Sequence, residues 1–97
     1  MEMPRATKDV RRVLLKKGFS LEPGGDHEYF YVYRDGKKTA VNTKISRGSK
    51  KDIPDGLLKT MMRQIRLERN DFERYFNCTM SGEEYIKYLI EHNYIDN

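Results

Sequence analysis

The stretch His27-Glu28-Tyr29-Phe30-Tyr31-Val32-Tyr33, HEYFYVY, runs into Arg34-Asp35-Gly36-Lys37 and on to Lys38-Thr39-Ala40-Val41-Asn42-Thr43. Aromatic and β-branched side chains dominate the first run, and these residue types favour the extended, half-buried backbone of a strand. Asp-Gly is the short-range hairpin signature, because both residues tolerate positive φ. The stretch therefore predicts two antiparallel strands joined at Asp35-Gly36.

Outward from that hairpin, Phe19-Ser20-Leu21-Glu22 alternates as a third strand, and Pro23-Gly24-Gly25-Asp26 is a turn by composition. Upstream, Val10, Val13 and Leu14 fall at helical spacing between Thr7 and Lys17, with Thr7 as the expected N-cap and Gly18 as the stop. Downstream, Lys44 to Lys51 (KISRGSKK) is a basic, glycine-containing loop. A helix is expected from about Asp52-Ile53-Pro54, carrying Leu57, Leu58, Met61, Met62 and Ile65 as an apolar stripe. The predicted class is α+β in the order α-β-β-β-α, a three-stranded antiparallel sheet with helices on one face.

A C-terminal helical extension follows. Asn70-Asp71-Phe72-Glu73 and Ser81-Gly82-Glu83-Glu84 both match the capping box. Behind them come Phe72, Tyr75, Phe76 and then Tyr85, Ile86, Leu89, Ile90, apolar faces that need either the body or a protein partner to cover them. We divide the chain into residues 1–67, the α-β-β-β-α unit, and residues 68–97, a helical extension packed on the same domain.

At 97 residues the chain suits one domain with a single modest core. No apolar run approaches the roughly 20 residues of a membrane span, and the N-terminal Met1-Glu2-Met3-Pro4-Arg5 lacks the apolar segment of a signal peptide. A cytoplasmic location is the expectation. The one cysteine, Cys78, excludes an intrachain disulfide and a sulfur-based zinc site. Charge is unevenly divided: residues 1–66 hold sixteen Lys/Arg against eight Asp/Glu, and residues 67–97 hold three against seven, consistent with the net +4. A basic body beside an acidic tail points either to a polyanionic partner such as nucleic acid or to ordinary solubilising charge.

Strand alternation puts His27, Tyr29, Tyr31 and Tyr33 on one face, and Glu28, Phe30 and Val32 on the other. The apolar pair Phe30 and Val32 belongs inside, which leaves His27 and the tyrosines on the open face. Tyrosines there either stack on bases or shield the sheet. His27 is either a merely exposed residue or a general base, since a neutral imidazole accepts a proton near physiological pH. With RNA on this face, His27 would take the proton of a ribose 2′-hydroxyl, and the resulting alkoxide would attack the adjacent phosphorus without a metal. Gly25 would let a ligand backbone come close, Tyr29 would stack, and Lys44, Arg47, Lys50 and Lys51 would neutralise phosphate. His92 stands in the acidic tail with no second His or Cys pair, so neither a metal site nor a cofactor is implied.

Lys16-Lys17-Gly18-Phe19, then Gly25-Asp26-His27, then Lys51-Asp52-Ile53-Pro54 ahead of Leu57-Leu58, resemble the HicA (YcfA-like) toxin family. The resemblance implies a double-stranded-RNA-binding-domain-like fold and a metal-independent endoribonuclease that cuts mRNA with a single histidine, here His27. It also implies neutralisation by a HicB-type antitoxin. Two positions depart from the family pattern: Asp26 stands where many relatives have Ser, and Ser46-Arg47-Gly48 stands where many carry a second histidine. The alternatives are a non-catalytic RNA-binding module of the same fold and a protein-interaction domain that docks through its C-terminal helices.

Overall fold

The computed structural model describes residues 5–46, 51–77 and 79–96. In chain order the elements are β1 (Arg5–Ala6), α1 (Thr7–Lys16), β2 (Phe19–Pro23), β3 (His27–Arg34), β4 (Lys37–Ser46), β5 (Asp52–Ile53), α2 (Asp55–Gln64), α3 (Arg69–Phe76) and α4 (Gly82–Glu91). Strands β2, β3 and β4 form an antiparallel meander with β3 central. The α+β class and the order helix, three strands, helices are as the sequence predicts.

Asp35 and Gly36 take φ of 53° and 77°, both positive as in a type I′ turn, whose twist matches the flanking strands. The ladder is regular from His27↔Ser46 to Tyr31↔Asn42, then shifts so that Tyr33 faces Lys38. Thr39 repairs the shift: its hydroxyl donates to the Val32 carbonyl at 2.8 Å and accepts from the Val41 amide at 3.2 Å. At its far end β4 runs three residues beyond the predicted Thr43, because Lys44, Ile45 and Ser46 pair with Tyr29, Glu28 and His27, and it ends beside His27.

Phe30, Val32, Val41 and Ile45 are buried on the helix-covered face, together with Val10, Val13 and Leu14 of α1 and Leu58, Met61 and Ile65 of the α2 region. Phe30 is fully buried, a site where truncation to alanine costs about 3–5 kcal/mol. Leu57, expected in the apolar stripe, is instead 59% exposed. Leu58, Met61 and Ile65 already fill one face at i, i+3, i+7, and the residue before Leu58 is rotated about 100° away from it.

Three expected helix starts are corrected. Thr7 is the first helical residue of α1, not its cap; Ala6 occupies the cap position without a side-chain bond. The Thr7 amide donates instead to the Lys51 carbonyl at 2.8 Å, an acceptor supplied by the β1–β5 pairing of Arg5 with Ile53 and Ala6 with Asp52. Residues 52 and 53 are therefore strand, and α2 begins at Asp55 after Pro54, as expected for a residue held extended before proline. The capping box at Asn70 does not form. Arg66 takes φ 69° and the amides of Arg66 and Leu67 bond the carbonyls of Arg63 and Met62, a Schellman closure of α2. That closure delivers buried Leu67 to the core and leaves Glu68 to start α3. The second box is present: Ser81 Oγ accepts from the Glu84 amide at 3.0 Å.

The last two helices share this core. Tyr75 and Tyr85 are fully buried, and Tyr85 lies at 5.8 Å from Phe19 with near-parallel rings. The Tyr85 hydroxyl donates to the Ile65 carbonyl at 2.7 Å. Lys17, just past α1, is buried with its ammonium donating to the carbonyls of Tyr75 and Met80 at 2.5 and 2.7 Å. No helix among the described residues is long and apolar enough to cross a membrane.

Candidate active site

His27 opens the central strand, half-buried, directly opposite Ser46 at the end of β4. Its neighbours on the open face are Tyr29 and Tyr31, which face Lys44 and Asn42 across the ladder. The His27 and Tyr29 rings are 6.0 Å apart and tilted by 41°. Neither imidazole nitrogen makes a hydrogen bond among the described residues, so the ring is available to a ligand. Glu28, on the opposite face, is held from α1: Arg11 donates from Nε and a terminal nitrogen to its two oxygens at 2.7 and 2.9 Å. This forked pair raises the Arg11 guanidinium above its ordinary value, chiefly through the Glu28 hydrogen bond. It ties the start of β3, and so the His27 backbone, to a helix.

The turn before His27 is closed by the Gly24 amide, which donates to the His27 carbonyl at 2.9 Å. A Cβ at Gly24 would lie 2.6 Å from Tyr29 Cε2. Glycine is therefore required there so that the Tyr29 ring can lie on the turn. Gly25 is exposed, with nothing within 4 Å of where its Cβ would be; its backbone is open to solvent two residues from His27.

At the far end of the open face the chemistry is different. Glu22 accepts from Lys38 Nζ at 2.8 Å and from the Tyr33 hydroxyl at 2.6 Å. The Lys38 bond first, and the Tyr33 bond second, hold its carboxyl below the usual range. The Lys38 ammonium also lies 4.4 Å from the centre of the Tyr31 ring. Tyr33 is thus committed to Glu22, while Tyr29 has no hydrogen-bond partner for its hydroxyl among the described residues.

Beyond His27 the outer edge of β4 is unpaired among the described residues, and a groove of about 630 Å³ runs between it and α2. Thr43 to Ser46 form its strand wall, Leu57, Met61 and Gln64 its helix wall, and His27 lines it from the end of β3. Lys44 and Lys51 both border it and are exposed. Thr43 is buried and donates its hydroxyl to Gln64 Oε1 at 2.7 Å. Of the expected site residues, His27, Tyr29, Lys44 and Lys51 thus gather at one end of the sheet, with Gly25 on the adjoining turn. Arg47 and Lys50 lie outside the described residues. Among the described residues no group of three His, Cys, Asp or Glu side chains comes together.

The sequence reading missed the groove. Gln64 is an ordinary surface type at a helix end, and only its bond to Thr43 reveals that it is fixed. Leu57 carried one usable signal: two adjacent leucines cannot both sit at the centre of one helical stripe.

The family model described as HicA toxin of bacterial toxin–antitoxin systems matches residues 7–67, well over half of the 97-residue chain. The chain belongs to the HicA toxin family. The HicA region begins at the first residue of α1 and ends at Leu67, so it contains the whole meander, α2 and the Schellman turn, while α3 and α4 lie beyond it. Membership places the chain with the toxin components of bacterial toxin–antitoxin pairs. No curated protein and no solved structure matches the chain.

Proposed function

We propose that this HicA protein is an mRNA interferase, a metal-independent endoribonuclease in which His27 is the general base. One observation carries the reading: the single histidine of the HicA region opens the central strand with both ring nitrogens unbonded among the described residues, between Tyr29 and the exposed lysines Lys44 and Lys51. RNA supplies its own nucleophile. His27 takes the proton from a ribose 2′-hydroxyl, the 2′-oxygen bonds the adjacent phosphorus, and the P–O5′ bond breaks. The products are a 2′,3′-cyclic phosphate and a 5′-hydroxyl, the leaving oxygen taking its proton from a lysine or from water.

Base assistance of this kind contributes about 10²–10⁴ in rate. Lys44 of β4 and Lys51, with Arg47 and Lys50, neutralise the phosphate, and Tyr29 stacks on a base. Gly25 lets the RNA backbone approach the turn. A HicB-type antitoxin is the protein partner, and the cytoplasm, where mRNA is translated, is the site of action.

The test is an RNA carrying a 2′-deoxyribose at one mapped cleavage position. The proposal expects that RNA to be bound as tightly as the all-ribose strand and left uncut at that position. Cleavage there at an undiminished rate would show that the 2′-hydroxyl is not the nucleophile.

A further inference from the structure

We infer that the groove between β4 and α2 is a nucleobase subsite of the same active site, and that Gln64 reads the edge of the base it holds. The inference rests on His27 as the base acting on RNA. A ribose whose 2′-hydroxyl is within hydrogen-bonding reach of the imidazole, about 3 Å, carries its base on the neighbouring sugar carbon. That base must therefore lie within a sugar's width of His27. Two surfaces meet there: the open face at Tyr29, and the groove that His27 itself lines. The two nucleotides flanking the scissile phosphate diverge at His27, and each surface takes one of their bases.

The groove has the chemistry of a base pocket rather than of a phosphate site. Its walls are mostly apolar, from Ile45, Pro54, Leu57 and Met61, which suits the faces of a flat heterocycle. Leu57 is the one large aliphatic of α2 left 59% exposed, and a leucine so placed is explained when a ring covers it. A polar group of fixed orientation is also present. The buried Thr43 hydroxyl pins Gln64 Oε1 at 2.7 Å, which leaves Nε2, unbonded among the described residues, as a directed donor to an acceptor on the base edge. Lys44 and Lys51 stand at the rim, where the phosphates of the strand would pass.

The experiment is an NMR titration of the full-length protein with the four nucleoside 5′-monophosphates, with ribose 5-phosphate as the base-free control. A short extended Val-rich peptide is run in parallel. The inference expects the nucleotides to shift the Gln64 side-chain amide and the Leu57 and Met61 methyls, with one base preferred by about 3- to 10-fold, the worth of one hydrogen bond. Ribose 5-phosphate should leave those signals in place. Gln64→Leu should flatten the preference. Leu57→Glu, at an exposed position that the fold does not need, should weaken nucleotide binding about tenfold.

Equal shifts from ribose 5-phosphate, or nucleotide shifts confined to Tyr29 and Tyr31, would overturn the subsite. Binding of the peptide alone along β4 would overturn it in favour of a polypeptide strand. Nucleotide binding requires no cleavage. If His27→Ala abolishes RNA cutting while the groove ignores nucleotides, the subsite fails and the proposed function stands.

Discussion

Lys17 and Tyr75 bond each other twice: the Lys17 ammonium donates to the Tyr75 carbonyl at 2.5 Å, and the Tyr75 hydroxyl donates to the Lys17 carbonyl at 3.2 Å. Lys17 lies inside the HicA region and Tyr75 in α3 beyond it. Lys17 therefore clamps the C-terminal helices to the end of α1. The ammonium also reaches the Met80 carbonyl at 2.7 Å, ahead of α4.

Lys17→Met keeps the length of the side chain and removes its donors, leaving two buried carbonyls unpaired at about 1–3 kcal/mol each. The expected loss is about 2–6 kcal/mol, or a fall in Tm of roughly 10 °C or more for a chain of this size. Lys16→Met, at the exposed neighbour, should change Tm by little. Equal, small effects in thermal unfolding would show that the clamp carries no weight.

Gly24 and Gly25 look alike in sequence and should behave differently when changed to alanine. A Cβ at Gly24 meets the Tyr29 ring at 2.6 Å, and one at Gly25 meets nothing. Gly24→Ala must displace Tyr29; where that ring stacks on a base, a contact of about 1–3 kcal/mol, RNA binding should weaken about 5- to 100-fold. Gly25→Ala leaves Tyr29 in place, so its loss is confined to the methyl at the turn the RNA backbone approaches and should stay below about fivefold at the same salt concentration. Fluorescence anisotropy with a labelled single-stranded RNA checks both, and identical behaviour of the two variants would remove Tyr29 from the interface.

Tyr75 and Tyr85 set an alkaline limit on stability. Burial pushes both hydroxyls well above the ordinary tyrosine value of 10. A raised pKa means that the folded chain keeps protons which the unfolded chain releases above pH 10. The contribution is therefore whole below pH 10 and falls as pH climbs from there, by about 1.4 kcal/mol per tyrosine per unit. Urea unfolding at pH 8, 10 and 11 should show a small loss from this source in the first step, about 0.4 kcal/mol per tyrosine, and a larger one, about 1 kcal/mol per tyrosine, in the second. Tyr75→Phe should lower stability at pH 8 yet make the alkaline decline shallower. A slope unchanged by that substitution would contradict the assignment.

The parts of this fold that sequence reveals are those decided by neighbouring residues. HEYFYVY followed by Asp35-Gly36 names its hairpin because strand propensity and turn chemistry are local. The face of His27 follows from alternation once Phe30 and Val32 are placed inside. What stayed hidden depends on partners far along the chain. Thr7 reads as a cap until the Lys51 carbonyl is found waiting for its amide. Asn70 reads as a cap until the Arg66 turn starts the helix two residues earlier. Lys17 reads as a solvated helix-end cation, and only the carbonyls of Tyr75 and Met80 show why it is buried. The shared face of His27 and Tyr29 was legible from period and position. The groove was not, because it exists only where the β4 edge passes α2.

Incubation of a mixed-sequence RNA with the purified protein in excess EDTA, beside His27→Ala, asks whether the proposed base His27 performs the chemistry. Wild type should cleave to 2′,3′-cyclic phosphate ends, and His27→Ala should cut about 10²–10⁴ more slowly with RNA binding largely retained. Cutting by His27→Ala at the wild-type rate, or no cutting by either protein while both bind RNA in a salt-sensitive way, would contradict that role.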